Sequence, residues 1–233
     1  MPAGPPAVRF FAGIALICGN LVAAGFFPSF YGRDATLPPL SSLLFVHGLI
    51  LTLWFALFAI QPFLILGGWS GAHRAMGAAG VVLAVAVAAS GLAAGADAMA
   101  RGVGIAGRSP ETFFYMSVAD AVLFAVLIAA ALRARQNPDA HKRFMTVASV
   151  SILFPALGRL MTTSGFEGVF AVIPYAALLA AIAGFDFVVL RRLHPATLIG
   201  AGAALAKVAS YVPVGASAPW HAVVRASGLA VGP

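Results

Sequence analysis

The chain has 233 residues, of which 61% are hydrophobic and only 9% are charged, and its mean hydropathy is +0.98. Soluble domains carry about a quarter charged residues, so this composition excludes a water-soluble globular protein. The net charge of +7 comes mainly from basic residues at the ends of apolar segments, which indicates membrane topology and not nucleic-acid binding.

The apolar segments predict an all-α integral membrane protein with a bundle of seven, or alternatively six, transmembrane helices. After a flexible lead, the segments cover about residues 8–27, 41–68, 75–96, 111–132, 138–160, 168–190 and, more weakly, 196–212. The first is too long for a signal peptide and is interpreted as a span. Its cysteine, Cys18, is the only one in the chain, which excludes an intrachain disulfide. We expect one bundle over residues 1–212 and an extramembrane or interfacial tail over residues 213–233.

The fifth segment contains Pro155. Proline has no backbone N–H, so the carbonyl of Ser151, four residues earlier, loses its helical partner. We therefore expect this helix to bend.

The charges between the segments are distributed unequally over the two ends of the bundle. Eight basic residues fall at one end: Arg9, Arg74, Arg133, Arg135, Lys142, Arg143, Arg191 and Arg192. Four fall at the other: Arg33, Arg101, Arg108 and Arg225. Because cytoplasmic loops hold the excess of Lys and Arg, the N-terminus is predicted to be cytoplasmic. The C-terminus is then outside with seven spans and inside with six.

The second segment carries three interruptions at a spacing of seven residues, namely His47, Trp54 and Gln61. At about 100° per residue, positions seven apart differ by only about 20° around the helix, so all three share one face. A helix surrounded entirely by lipid is not expected to carry these three residues on one face. We expect this face to contact other helices, with Trp54 as a packing residue between two polar positions.

Five polar residues on five different helices are predicted to lie at one depth, in the outer half of the membrane. They are His47, Asp120, Arg159, Tyr175 and Asn20. Because ionisable residues inside a membrane are unfavourable unless they serve a function, this layer predicts a periplasm-facing site for a small ligand, a cofactor or a proton. The alternative is a structural ion pair between Asp120 and Arg159, with His47 hydrogen-bonded to a neighbour.

A second polar group is predicted at the cytoplasmic end, where His73 and His141 each begin a helix and Gln61 and Asp186 lie nearby. The two histidines are the candidate ligands for a haem or a metal, or they meet lipid phosphates. The alternative is an ordinary basic belt at the membrane surface.

Several function classes remain open from these residues. A b-type haem protein would use His73 and His141, because no second ligand lies opposite His47. A retinal protein would use Lys207 with Asp120 as the counter-ion, but the Ala-, Val- and Gly-rich third helix supplies no aromatic cage. A transporter and an accessory or assembly subunit are also compatible. No nucleophile motif, phosphate loop or metal-ligand spacing favours an enzyme, and the expected partners are the bilayer, a small ligand and further membrane subunits.

Several motifs together resemble those of a family of bacterial multi-pass membrane proteins that has no assigned activity. They are H-x6-W-x6-Q at 47–61, H-R-x2-G at 73–77, Asp120, A-H-K-R at 140–143 and G-R at 158–159. The resemblance covers about half of the chain and implies a helical bundle in a bacterial inner membrane. A looser similarity to b561-type cytochromes rests only on histidines at helix ends.

Overall fold

The structure is a computed structural model that describes residues 5–105 and 107–229. This part of the chain is helical and contains no β-strand, which confirms the predicted all-α class. The helices in chain order are α1 (Pro5–Phe26), α2 (Ser42–Leu66), α3 (Ser70–Ala100), α4 (Pro110–Arg133), α5 (Pro138–Ser151), α6 (Phe154–Thr163), α7 (Val172–Leu190), α8 (Pro195–Gly215) and α9 (Ala218–Ala226). A π-helical turn, Phe27–Tyr31, follows α1, and a 3-10 turn, Gly168–Ala171, precedes α7.

Six of these helices are long and apolar enough to span a membrane: α1, α2, α3, α4, α7 and α8. Helices α5 and α6 would form a seventh span if the bent pair crosses as one unit. This is the architecture of a multi-pass membrane protein. Whether six or seven segments cross, and which way the chain is oriented, stay predictions.

The helix starts follow from their local sequences. The side chains of Ser41, Ser109 and Asn137 accept hydrogen bonds from backbone N–H groups in the first turns of α2, α4 and α5. Proline directly follows the cap of α4 and of α5, where its missing N–H leaves no helical bond unmade.

Some bounds differ from those predicted. Helix α3 begins five residues before residue 75 and continues through Ala100, so its 31 residues extend about 46 Å, well beyond the hydrocarbon thickness. Helix α8 continues past residue 212 to Gly215, and α9 adds a short helix within the predicted tail. The flexible lead was predicted for residues 1–7, of which 1–4 lie outside the described residues, as do 230–233 of the tail.

The predicted bend is present between α5 and α6, whose axes differ by 45°. Pro155 lies in the first turn of α6, directly after the break. Gly25 on α1 lets α6 approach closely, because a Cβ there would collide with the carbonyl of Ala156. The turn therefore directs α6 onto α1, while α5 packs against α4 and α8.

The two ends of the bundle differ in charge. We call the end with the connections 67–69, 134–137 and 191–194 the basic end, and the one with 32–41, 101–105, 107–109 and 164–167 the opposite end. Helix α4 lies centrally and contacts α3, α5, α8 and α9.

Candidate functional site

An ion pair lies near the middle of the bundle, between Asp120 on α4 and Lys207 on α8. The Lys207 side chain is only 5% exposed and that of Asp120 is 15% exposed. Tyr211, one turn after Lys207, donates its hydroxyl proton to Asp120 Oδ1 at 2.5 Å. The ammonium bonds the same oxygen, and Oδ2 accepts no hydrogen bond from any residue that the structure describes.

The Lys207 ammonium has a second partner at the break between α5 and α6. Its Nζ donates to the carbonyl of Ser151 at 2.5 Å, and this is the carbonyl that Pro155 leaves without a helical N–H. The ammonium also lies at the C-terminus of α5, where the helix dipole favours a positive charge. Three helices, α4, α5 and α8, therefore meet at one cation.

Aromatic rings surround this cation. The Lys207 Nζ lies 5.6 Å from the ring centroid of Tyr175 and 5.3 Å from that of Tyr211. Phe154 packs edge-on against both tyrosines, and the buried Tyr175 donates to the carbonyl of Ala204 at 3.4 Å. These rings attract the ammonium and exclude lipid and water from it.

Polar side chains lie between the pair and the opposite end, but among the described residues they are not joined to Asp120 or Tyr211 by hydrogen bonds. Asp120 lies ten residues after Pro110, which places it about 15 Å from the start of α4. Between the two, the Tyr115 hydroxyl and Ser210 Oγ are hydrogen-bonded at 3.0 Å. Trp220 on α9 packs edge-on against Tyr115 and donates to the carbonyl of Glu111 at 2.8 Å. Helix α9 therefore covers these polar side chains at the opposite end.

Only some of the five residues of the predicted polar layer lie together in the structure. Asp120 and Tyr175 meet at Lys207, but the predicted ion pair of Asp120 with Arg159 is not formed. Arg159 is exposed on α6, and its guanidinium lies 5.0 Å from the ring centroid of Phe26 on α1. The 45° turn after α5 is the physical reason, since it directs α6 toward α1.

The other two members of the layer lie elsewhere. His47 is half-buried, and its Nδ1 is 3.0 Å from Ser90 Oγ on α3, as the structural alternative predicted. Asn20 is exposed and donates to the carbonyl of Leu16 on its own helix at 2.8 Å. Lys207 was related to Asp120 only in the retinal alternative and was not predicted as a member of this layer, although a lysine within an apolar helix and a tyrosine four residues later are visible in the sequence.

A second buried ion pair lies at the basic end. Arg143 on α5 donates through Nε to Asp186 Oδ1 on α7 at 2.8 Å, and the two residues are 1% and 0% exposed. Another guanidinium nitrogen donates to the carbonyl of Asp139 at 2.8 Å, and the His194 backbone N–H donates to Asp186 Oδ2 at 3.1 Å. Both oxygens of this carboxylate are therefore bonded.

The predicted haem or metal ligands also face each other at the basic end. The ring centroids of His73 and His141 are 6.5 Å apart, and the rings are nearly perpendicular. His141 Nδ1 lies 2.9 Å from the carbonyl of Ala131, so it carries a proton and leaves Nε2 as a free acceptor. The neighbouring donors and acceptors assign the orientation of the Gln61 amide: its nitrogen donates to His73 Nδ1, and its oxygen accepts from the N–H of Gly77.

The rest of the stripe on α2 has a packing role. Trp54 is buried, and its ring meets that of Phe124 edge-on with 5.0 Å between centroids. Its Nε1 has no hydrogen-bond partner among the described residues. In the same part of the chain, no three His, Cys, Asp or Glu side chains lie close enough together to hold a metal ion by themselves.

Comparison with protein-family models, curated proteins and solved structures gives no match for this chain.

Proposed function

We propose that this protein is a multi-pass membrane protein that binds and transfers a proton at a site formed by Asp120, Lys207 and Tyr211, with Tyr175 beside it. One observation carries this proposal. A lysine ammonium in the middle of the bundle is held by a carboxylate, one oxygen of which accepts no hydrogen bond within the described chain, and by a carbonyl at a helix break.

The chemistry of the pair suits proton exchange. Charged residues at this depth are unfavourable, and moving the proton from the ammonium to the carboxylate would neutralise both groups at once. Lysine, unlike arginine, can lose its proton in such a site. The ammonium already donates to Asp120 Oδ1, which would receive its proton, and Oδ2 accepts no hydrogen bond from the described residues and could take a proton from outside the pair. Tyr211, Ser210 and Tyr115 supply hydroxyls in the direction of the opposite end.

The orientation belongs to the same proposal. The basic end would face the cytoplasm and the opposite end the periplasm, in a bacterial inner membrane, because the basic residues are concentrated at the connections of the basic end. Lys207 lies eight residues before Gly215, about 12 Å from the opposite end, so the site would open toward the periplasm. Single cysteines at residues 135 and 33, introduced with Cys18→Ser, should react with impermeant reagents from opposite sides.

Proton movement is measured with purified protein in liposomes that contain a pH-sensitive dye and carry a pH gradient. We expect the wild type to dissipate the gradient faster than empty liposomes, and Asp120→Asn to abolish the difference. Arg159→Gln is the matched control, since it removes an intramembrane charge outside the site, and it should behave like the wild type. The double variant Asp120→Asn/Lys207→Met removes both charges together, so it should fold and still be inactive.

Two results would contradict the proposal. One is a wild type that conducts no more than empty liposomes. The other is an active double variant, which would show that the pair only stabilises the bundle.

The basic end supports a second candidate function, a b-type haem protein with His73 and His141 as axial ligands. With metal–nitrogen bonds of about 2 Å, two imidazoles on opposite sides of one ion have centroids about 6 Å apart, close to the 6.5 Å observed. His141 already has the Nδ1–H to carbonyl bond that orients a ligating histidine. Haem iron needs only two protein ligands, but His73 would have to give up the hydrogen bond from Gln61 so that one ring nitrogen, without a proton, could bind the iron.

This candidate is tested by absorption spectroscopy after haem-replete expression. We expect a low-spin spectrum that His73→Ala or His141→Ala removes. His194→Asn, at the same end, should leave it unchanged. A colourless wild type that also fails to bind added hemin would exclude the haem.

A further inference from the structure

We propose that the Lys207 ammonium occupies a position that would otherwise bind a sodium ion, and that this lysine makes the site selective for protons over sodium. This inference rests on the proposed function, because it concerns the same site.

The groups around the ammonium are those that bind a small monovalent cation. Its two hydrogen-bond acceptors are a carboxylate oxygen of Asp120 and the backbone carbonyl of Ser151, and the Tyr211 hydroxyl adjoins the same carboxylate. Hard cations prefer such oxygen ligands. Carbonyls at the ends of broken membrane helices, together with the negative end of a helix dipole, are a recurrent setting for sodium in membrane proteins.

Pro155 makes this carbonyl permanently available. In an unbroken helix the N–H of residue 155 would bond the Ser151 carbonyl, but proline cannot supply it. The carbonyl therefore needs a donor or a cation from another helix, and Lys207 on α8 supplies both in one group. The break would leave an unpaired buried carbonyl if the lysine were absent, and such a group is unfavourable in an apolar environment.

The charge balance explains the selectivity. With Lys207 present, the site is neutral when Asp120 is ionised, so an added sodium ion would bring an uncompensated buried charge. Because the ammonium is attached to the chain, it is always present at the site, and dissolved sodium must compete with it. A proton does not compete for this volume, since it binds Asp120 directly.

Removing the lysine should therefore create a sodium site. In Lys207→Ala the carboxylate and the carbonyl remain, and the missing side chain leaves room for an ion with its water. We expect the melting temperature of this variant to rise by a few degrees when choline chloride is replaced by sodium chloride at constant ionic strength. The wild type should show no such rise.

Two matched variants separate ion binding from general stabilisation. Lys207→Met removes the charge but fills the volume, so it should not respond to sodium. Asp120→Asn/Lys207→Ala lacks the carboxylate and should not respond either. If Lys207→Ala unfolds in choline chloride and is folded in sodium chloride, that result also supports the inference.

Three results would overturn it. These are a folded Lys207→Ala that ignores sodium, a Lys207→Ala that folds in neither salt, and a wild type whose melting temperature depends on sodium through Asp120. The two proposals fail separately. A wild type that moves no protons, combined with a sodium-responsive Lys207→Ala, would contradict only the proposed function. A conducting wild type with an unresponsive variant would contradict only the role of Lys207.

Discussion

The two buried ion pairs of this bundle have the same formal charges and opposite characters. Arg143 and Asp186 at the basic end are almost completely buried, and both carboxylate oxygens are bonded. Lys207 and Asp120 in the middle leave one carboxylate oxygen free within the described chain and depend on a helix break for the remaining bond. Arginine holds its proton under all ordinary conditions, whereas lysine can release it. Under the proposed function, the first pair fixes the structure and the second changes its protonation state.

The largest loss of stability is expected from breaking the pair of Arg143 and Asp186. Arg143→Met leaves the Asp186 carboxylate buried without its main partner, and we expect a loss of about 3–5 kcal/mol in the free energy of unfolding. Denaturant unfolding in detergent measures it. Arg143→Met/Asp186→Leu should recover much of the loss. A single variant as stable as the wild type would mean that this pair is not the structural one.

A smaller loss of stability is expected from breaking the pair of Asp120 and Lys207. Asp120→Asn leaves the Lys207 ammonium bonded to the Ser151 carbonyl but without a carboxylate, and we expect a loss of about 1–3 kcal/mol. Denaturant unfolding in detergent measures this loss, and a loss as large as that of Arg143→Met would remove the distinction between the two pairs.

The sequence predicted groups that surround the Lys207 ammonium, but it did not predict that Lys207 would meet them. Pro155 alone indicates that the Ser151 carbonyl lacks a helical partner, and Asp120 and Tyr175 stand out as polar residues within apolar segments. The donor to the Ser151 carbonyl lies 56 residues further along the chain, on α8. Its identity depends on how α8 packs against α5, which no local pattern contains. Arg159 was assigned to Asp120 because the helix bounds placed both residues at one depth. A bend at Pro155 was predicted, but the local sequence does not contain its direction, which takes α6 to α1.

The bond between the break and the lysine is tested by Pro155→Ala, which supplies the missing N–H. This N–H would compete with Lys207 for the Ser151 carbonyl, so Lys207→Met should become less destabilising by about 1 kcal/mol in the Pro155→Ala background. A double-mutant cycle measures this coupling. Additive effects would show that the lysine does not depend on the break.

The smallest effect is a pH dependence of the free energy of unfolding. It arises from His194, whose backbone N–H bonds Asp186. Burial and the nearby Arg143 and Lys142 lower the pKa of the His194 imidazole, while Asp186 and Asp139 oppose that shift. The unfolded chain then binds the proton more readily, so the contribution is complete above the ordinary pKa of about 6.5 and is lost as the pH falls below it toward the folded value. His194→Asn keeps the helix cap and should flatten this slope. An equal slope in both proteins would contradict the assignment.

The central claim is that Asp120 exchanges a proton with its surroundings while Asp186 does not. Infrared difference spectra recorded between two pH values, with purified protein in lipid, report the protonated form of each carboxyl group directly. We predict a carboxylic acid band that appears as the pH falls, is absent from Asp120→Asn and persists in Arg159→Gln. If Asp120→Asn retains every titrating band of the wild type, Asp120 stays ionised throughout and the Asp120–Lys207 pair is only structural.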